Sequence, residues 1–174
     1  MLLTRLSLAT VAFLGLAAFQ DSSNQYTIDF PEGWATEPPT EQGYTFATSP
    51  DDAELRCGAK SAAVPALASA TQDELNAQLA APVDAGFWAN MLSADPAKLE
   101  VSESEVRDVN GAKMQVATLK IGAGFEGLPV DTISRWGVIV VPGKIVMGMC
   151  MATVEKFPPN KETFEKTATS LRAL

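Results

Sequence analysis

Apolar and polar positions alternate along much of the chain in the pattern of half-buried strands. The alternation predicts strands at residues 26–30, 44–48, 53–64, 99–109, 112–122, 130–141 and 144–154. Asn110-Gly111 and Pro142-Gly143 separate neighbouring strands among the last four, and both dipeptides are typical of hairpin turns. We therefore expect the last four strands to form an antiparallel meander.

Two helices are predicted in the middle of the chain, at residues 71–81 and 83–94. Thr71 and Glu74 have the spacing of a capping box, in which each side chain bonds to the other residue's backbone N–H. Pro82 is expected to break or kink the chain between the helices, because proline lacks an N–H and clashes with the preceding turn.

A third helix is predicted near the C-terminus, where Phe164, Ala168 and Leu171 recur on one helical face. We expect Pro158-Pro159 to interrupt the chain, so that Asn160 caps this helix. The order of elements is strands, two helices, four strands and a last helix. This order indicates an α+β domain built on an antiparallel sheet.

Both faces of the predicted sheet are expected to be covered. Residues 138–141 (VIVV) and 144–151 (KIVMGMCM) are apolar on both strand faces, whereas a sheet with one wet face would alternate. The predicted fold class is thus α+β, with the antiparallel β-sheet sandwiched between helices in α/β/α layers. The middle helices would cover one face and the last helix the other.

Three methionines alternate with small residues in the last strand and raise the question of a soft-metal site. On a strand Met147, Met149 and Met151 share one face, and Cys150 points to the other. Thioethers bind Cu(I), but the chain has no histidine to assist them, and methionine commonly fills irregular core gaps. We therefore expect these side chains to be core, without a metal.

Residues 1–20 have the features of a secretory signal peptide. Arg5 supplies the charged region, an uncharged apolar run follows, and cleavage is expected between Ala17 and Gln20. The run is about fourteen residues, whereas a spanning helix needs roughly 20, which favours a cleaved leader over a retained anchor. Residues 21–174 are then one periplasmic or secreted domain, with no membrane span in the mature chain.

Charge and composition exclude several function classes. The formal net charge of −8 and the lack of a Lys/Arg stripe argue against nucleic acid and anionic lipid as partners. Without histidine there is no Ser-His-Asp or Cys-His catalysis, and two cysteines are too few for structural zinc. We therefore expect that the protein is not an enzyme and that it binds no cofactor and no metal. Glu103 and Glu105 share a strand face, which we expect to be a solvated outer face.

Cys57 and Cys150 are the two cysteines of the chain. An even number in an exported protein favours a disulfide, and closing so long a loop would contribute about 4 kcal/mol. Both residues also lie in apolar strand-like runs, where a free cysteine packs as a small hydrophobe. The disulfide requires that the two strands be neighbours.

Two loops are candidates for recognition. The Gly-rich loop at 122–129 carries an apolar ring, Phe125, and we predict a contact surface formed by Phe125, Glu126 and Leu128. The acidic loop at 51–54 is a weaker candidate for calcium, because it lacks the ligand spacing and the glycine of an EF-hand.

Residues 26–34 (YTIDFPEGW) and 141–174 carry a family resemblance. They are similar to the opening strand and turn, and to the closing hairpin and helix, of the PsbP-like superfamily. That group includes plant photosystem accessory subunits and bacterial DcrB-like exported proteins. The resemblance implies an antiparallel sheet between helices and a protein that binds or assists other proteins. It implies no functional residues.

These observations predict an exported, non-catalytic accessory or protein-binding module, whose partner would be another periplasmic or envelope protein. A periplasmic carrier of a small ligand or metal, using residues 122–129 or 51–54, is the alternative. A hydrolase that works with carboxylates alone is the third reading.

Overall fold

The computed structural model describes residues 17–21, 23, 25–123 and 130–174. Ten strands are present in this part of the chain: β1 (Ala17–Gln20), β2 (Tyr26–Phe30), β3 (Ala35–Thr36), β4 (Thr45–Thr48), β5 (Arg56–Ala63), β6 (Leu99–Val109), β7 (Ala112–Ile121), β8 (Thr132–Val141), β9 (Lys144–Thr153) and β10 (Arg172–Ala173). The α-helices there are α1 (Gln72–Gln78), α2 (Ala85–Leu92) and α3 (Phe157–Thr169), and Pro65–Leu67 and Pro96–Lys98 form short 3-10 turns.

The strands form two antiparallel sheets. The larger has seven strands in the order β3-β4-β5-β9-β8-β7-β6, and the smaller has three in the order β1-β2-β10. Strands β6 to β9 pair successively, so the predicted meander is confirmed. Strand β5 adds to the far side of β9. The α+β class is therefore confirmed, although the opening strand β2 belongs to the small sheet.

The segment between α1 and α2 is held by a buried glutamine. Gln115, on β7, donates from Nε2 to the carbonyls of Leu79 and Ala81, and its Oε1 accepts from the N–H of Val83. These bonds satisfy backbone groups around Pro82 that neither helix can pair. The Thr71–Glu74 capping box is present at the start of α1, as predicted.

Helix α3 begins earlier than predicted. It starts at Phe157, with Pro158 and Pro159 inside its first turn, so the expected break and the Asn160 cap are wrong. The N–H groups of a first helical turn have no intrahelical acceptor, and proline loses nothing by lacking one. Asn160 instead donates from Nδ2 to the carbonyl of Lys156, at 2.9 Å.

Two hydrophobic clusters lie on opposite faces of the seven-stranded sheet. Successive residues of β9 alternate between them, as strand geometry requires. One cluster joins the sheet to α3 and to the small sheet, and includes Tyr26, Ile28, Met114, Cys150, Phe164 and Leu171. The other joins the sheet to α1 and α2, and includes Leu75, Trp88, Leu92, Trp136, Met147 and Met149.

The two cysteines form a disulfide between neighbouring strands. Cys57 on β5 lies directly opposite Cys150 on β9, and both side chains are fully buried. The bond closes a sequence separation of 93 residues and fastens β5 to the meander.

Helices long and apolar enough to cross a bilayer are absent from the residues that the structure describes.

Candidate binding cavity

A partly enclosed cavity of about 280 Å³ lies between the end of α2 and the seven-stranded sheet. We call it the methionine cavity. Its lining residues come from four strands and one helix: Tyr44, Phe46, Arg56, Lys60, Met91, Leu92, Ser93, Trp136, Met149 and Met151. The volume is close to the lower end of the range for small-molecule sites, about 300–1,000 Å³.

Thioethers and an indole form the apolar floor of the cavity. Met149 on β9 lies directly opposite Trp136 on β8, and both are buried. Met151 lies two residues along β9 and is half-buried. Met91 joins them from α2. The core prediction is thus confirmed for Met149, and Met151 lies at the margin of the core, where it lines the cavity.

Met147 is also buried and shares this face, while Cys150 packs in the cluster on the opposite face. The hydroxyl of Tyr44 donates to the Met147 sulfur at 3.5 Å. Methionine and cysteine sulfurs are therefore separated by the sheet, as the alternation predicts.

Two stacked rings form a wall of the cavity. The ring centroids of Tyr44 and Phe46, on and next to β4, are 5.5 Å apart at an interplanar angle of 26°. Phe46 lies opposite Gly58 of β5, and the absence of a side chain there lets the ring lie against the strand. Gly58 therefore determines the position of the aromatic wall.

Two cations flank these rings at the rim. The guanidinium of Arg56 lies 4.3 Å from the centre of the Phe46 ring, and the ammonium of Lys60 lies 4.1 Å from that of Tyr44. Both distances are within the range of cation–π attraction. Arg56 also pairs with Glu37, with 3.1 Å between Nη2 and Oε2.

The Arg56 Nε–H is buried and has no hydrogen-bond partner among the residues that the structure describes. Buried donors are nearly always satisfied in native proteins, so each exception calls for an explanation. Trp88, Ser104, Thr132 and Thr167 each also have a buried side-chain atom without such a partner, so this donor does not by itself identify a ligand.

The end of α2 shapes the cavity roof. Ser93 adopts a left-handed conformation with φ 52° and ends the helix directly after Met91 and Leu92. A non-glycine residue rarely adopts this conformation, so it fixes a sharp exit of the chain at the cavity. With an apolar floor, aromatic walls and a cationic rim, the arrangement is suited to binding, and among the lining residues that the structure describes no nucleophile is paired with a base.

A second polar group, the Arg135 cluster, lies on the α3 face. Arg135 is buried with 5% of its side chain exposed, and it pairs with Glu103, Glu105 and Glu165. The expected solvated face is confirmed in part: the side chains of Glu103 and Glu105 are 46% and 44% exposed, but both pair with the buried Arg135. The register of β6 shifts between Val101 and Glu103, and this bulge turns both carboxylates toward α3.

Glu103 of the Arg135 cluster is held in its charged form. Lys161 hydrogen-bonds to Glu103 and holds its pKa below the ordinary value of 4.5. Glu165 from α3 also pairs with Arg107, which bonds to Glu105 as well. The arrangement fastens α3 to the sheet with opposite charges.

The acidic loop is neutralised by a cation of its own chain. The ammonium of Lys156 lies 2.8 Å from carboxylate oxygens of both Asp52 and Glu54. The hydrogen bond between Lys156 and Asp52 lowers the pKa of Asp52 and raises that of Lys156. Across residues 17–21, 23, 25–123 and 130–174, no three His, Cys, Asp or Glu side chains come together as a metal site.

The predicted contact surface of Phe125, Glu126 and Leu128 lies outside the residues that the structure describes. The cavity residues that the sequence did not single out are chiefly Arg56 and Lys60. The sequence could have indicated both residues, because these cations lie on one face of a strand whose other residues are mostly small and apolar.

Comparison of the chain with family models and with curated protein sequences gave no match. Solved structures do match. The solution structure of cyanobacterial PsbP (CyanoP) from Synechocystis sp. PCC 6803 is 15% identical, with a TM-score of 0.61, over 97% of this chain and 98% of that one. A protein from Bacteroides thetaiotaomicron has a TM-score of 0.53 at 9% identity, over 92% of this chain and 49% of that one. At these identities the likeness defines the fold alone.

Proposed function

From the PsbP-like fold, which this chain has, we propose that the protein is an exported, non-catalytic binding module with an accessory role. Its binding site is the methionine cavity. The sequence analysis left open an accessory module and a carrier of a small ligand. Both are compatible here, because an accessory protein can act by recognising a small ligand that accompanies its partner. The partner would be another periplasmic or envelope protein, as the family resemblance implies.

The cavity carries this proposal. An apolar hollow with a few convergent polar groups is the usual form of a small-molecule site. Trp136 and Met149 provide a buried apolar floor, and Arg56 and Lys60 are polar groups at the rim.

The charged groups support a non-catalytic role. A carboxyl that acts as a general acid needs a raised pKa, whereas Lys161 lowers the pKa of Glu103. Glu105 and Glu165 are each paired with arginines. The carboxylates that a hydrolase would need are thus bound to cations of the protein, in an arrangement suited to holding α3.

Two features support export. The apolar N-terminal run has the composition of a secretory leader. The Cys57–Cys150 disulfide is of the kind that persists in oxidising compartments such as the periplasm. A cleavage before Ala18 would remove the pair of Ala17 with Phe30 and keep the other three pairs of β1 with β2.

We also infer that the sheet lies between two layers, in the α/β/α order expected from the sequence. The cluster containing Trp88 and Met149 includes residues of α1 and α2, and the cluster containing Cys150 and Phe164 includes residues of α3. The small sheet, through Ile28, would complete the second layer.

Binding of the neutral apolar fluorophore N-phenyl-1-naphthylamine to the purified protein tests the proposed function. We expect a saturable rise in fluorescence with one site per chain. Met151→Trp and Met91→Trp, which place a large ring at two sides of the cavity, should each abolish the rise. Leu174→Trp adds the same ring at an exposed terminal residue and should leave binding unchanged.

Thermal unfolding of each variant verifies that it is folded before its binding is compared. Saturable binding that both cavity variants retain, or no saturable binding by the wild-type protein, would overturn the assignment of the methionine cavity.

A further inference from the structure

We propose that the methionine cavity selects ligands that carry a flat aromatic ring over ligands of the same size that carry a saturated ring. This inference rests on the proposed function and specifies the ligand class of the same site. It goes further because a cavity that bound by hydrophobicity alone would take the saturated ring at least as well.

A row of residues across four strands places a methionine between two aromatic side chains. Phe46 on β4 lies opposite Gly58 on β5, and Gly58 lies opposite Met149 on β9. Met149 in turn lies opposite Trp136 on β8. Because Gly58 has no side chain, nothing else in this row separates the Phe46 ring from Met149. A ring that enters the cavity should therefore meet aromatic carbon at its sides and sulfur beneath it.

Thioethers are concentrated around this cavity. Met91 and Met151 line it together with Met149, whereas Met114 is buried in the cluster on the opposite face of the sheet. A leucine would fill a similar space, but a thioether sulfur also attracts the edge of an aromatic ring, at about 5 Å. Three such side chains around one cavity favour an aromatic guest over an aliphatic one.

The polar atoms of two lining rings are already bonded within the protein. The indole N–H of Trp136 donates to the Ser134 hydroxyl at 2.7 Å, and the Tyr44 hydroxyl donates to the Met147 sulfur at 3.5 Å. With these donors engaged, a ligand meets both rings as aromatic surfaces. Offset-stacked and edge-to-face ring pairs are stabilised beyond the area that they bury, which adds to the preference.

The rim cations are also engaged within the protein. Arg56 pairs with Glu37 and lies over the Phe46 ring, and Lys60 lies over the Tyr44 ring. The ligand class therefore follows from the ring of the ligand and not from a charge, and neutral compounds suffice to test it.

The volume of the cavity fits one ring with a short substituent. About 280 Å³ corresponds to on the order of ten water-sized groups at roughly 30 Å³ each. 2-Phenylethanol is of this size. Because the cavity is only partly enclosed, a larger substituent can extend through its open side.

Displacement of bound N-phenyl-1-naphthylamine by 2-phenylethanol and by 2-cyclohexylethanol tests the inference. The two compounds share the hydroxyl and its linker and differ in the ring. The saturated ring has the larger apolar surface, so the hydrophobic effect alone would favour 2-cyclohexylethanol. We expect instead that 2-phenylethanol displaces the fluorophore at about five-fold lower concentration.

Variants without the sulfur atoms locate the origin of the preference. Combining Met91→Leu, Met149→Leu and Met151→Leu nearly preserves the volume of the floor, and we expect the preference for 2-phenylethanol to fall to about two-fold or less. Met151→Leu alone, at the margin of the core, should give an intermediate preference. Met114→Leu removes a sulfur from the opposite face and should preserve the full preference. Thermal unfolding verifies that each variant is folded.

Equal displacement by the two compounds, a preference for 2-cyclohexylethanol, or displacement by neither while the fluorophore binds would refute the aromatic selection and leave the proposed function standing. Failure of the fluorophore itself to bind would instead refute the proposed function. A full preference in both the triple variant and Met151→Leu, or an equal loss of preference in Met114→Leu, would also overturn the inference.

Discussion

The Phe46 ring packs against Gly58, and a methyl group built on Gly58 would come within 2.6 Å of two carbons of this ring. The contact between Phe46 and Gly58 connects the pairing of strands β4 and β5 with the shape of the methionine cavity. Strands β4 and β5 can present the aromatic wall only because the facing residue of β5 has no side chain. Arg56, two residues away on the same face, then lies over the same ring.

Gly58→Ala is therefore expected to damage the cavity and the stability together. The ring must tilt to make room, and overpacking of this kind costs about 1–3 kcal/mol of unfolding free energy. Denaturant unfolding measures this cost, and fluorophore titration measures the loss of affinity. Gly122→Ala is the matched control, because its nearest neighbour would be at 3.5 Å, an ordinary contact. Equal effects of both substitutions would contradict the account.

The Cys57–Cys150 disulfide should stabilise the native state chiefly by restricting the unfolded chain. Closing a loop across 93 residues contributes about 4 kcal/mol in the chain-entropy model. We expect a variant with both cysteines replaced by alanine to fold but to unfold at lower denaturant concentration. Thiol titration of the wild-type protein in denaturant without reductant should detect no reactive thiol. Two reactive thiols would refute the bond.

Arg135 should contribute more to stability than its partially exposed neighbour Arg107. Arg135→Met leaves Glu105 and Glu165 without their buried partner, and we expect a loss of about 3 kcal/mol. Arg107→Met removes a guanidinium that is 38% exposed and should cost less than about 1 kcal/mol. Equilibrium unfolding of both variants compares them. Similar losses would show that burial of Arg135 has no special role.

Stability should depend on the ionisation of Glu103. The pKa of Glu103 is lowered in the folded protein, from 4.5, by the Lys161 hydrogen bond. The contribution of this group is therefore fully present above its ordinary pKa and is lost as the pH falls through its lower folded pKa. Because the pair is half exposed, we expect about 0.5 kcal/mol.

Unfolding of Glu103→Gln, Lys161→Met and the double variant, each as a function of pH, measures this coupling. Each single variant should lose the acid-dependent part of the stability, and the second substitution should then add little. A coupling that is the same at neutral and at strongly acidic pH would contradict the assignment.

Features that depend on neighbouring residues were predictable from the sequence. The capping box of Thr71 and Glu74 formed as its spacing indicates. Asn110 and Gly111 both adopt positive φ, 51° and 82°, as their hairpin requires. The alternation along β9 correctly separated Met149 from Cys150. In each case the residues that give the sequence signal lie within a few positions of the structural feature that they predict.

Features that depend on distant residues were not predictable in this way. The two-residue strands β3 and β10 exist only because a partner strand lies beside them. The bulge after Val101 transfers Glu103 to the α3 face, and no residue at that point marks it in the sequence. The predicted break at Pro158 was wrong, because the same residue type that interrupts a helix also begins one.

The methionine cavity likewise combines local features, which the sequence predicted, with long-range ones, which it did not. Each strand that lines it was predicted, but Arg56 on β5 and Met151 on β9 become neighbours only through the register of two distant segments. The sequence pattern indicated which face each side chain takes. It did not indicate that β5 pairs with β9, and a site formed between these strands depends on that pairing.

Methyl NMR of methionine in the purified protein tests the central claim, that the methionine cavity is the binding site, most directly. Met91, Met149 and Met151 line the cavity, whereas Met114 is buried in the cluster on the other face and serves as an internal control. On titration with N-phenyl-1-naphthylamine, we predict that the first three methyl signals shift with one common dissociation constant and that the Met114 signal stays in place. A saturable shift of Met114 with no change at the other three would contradict the account.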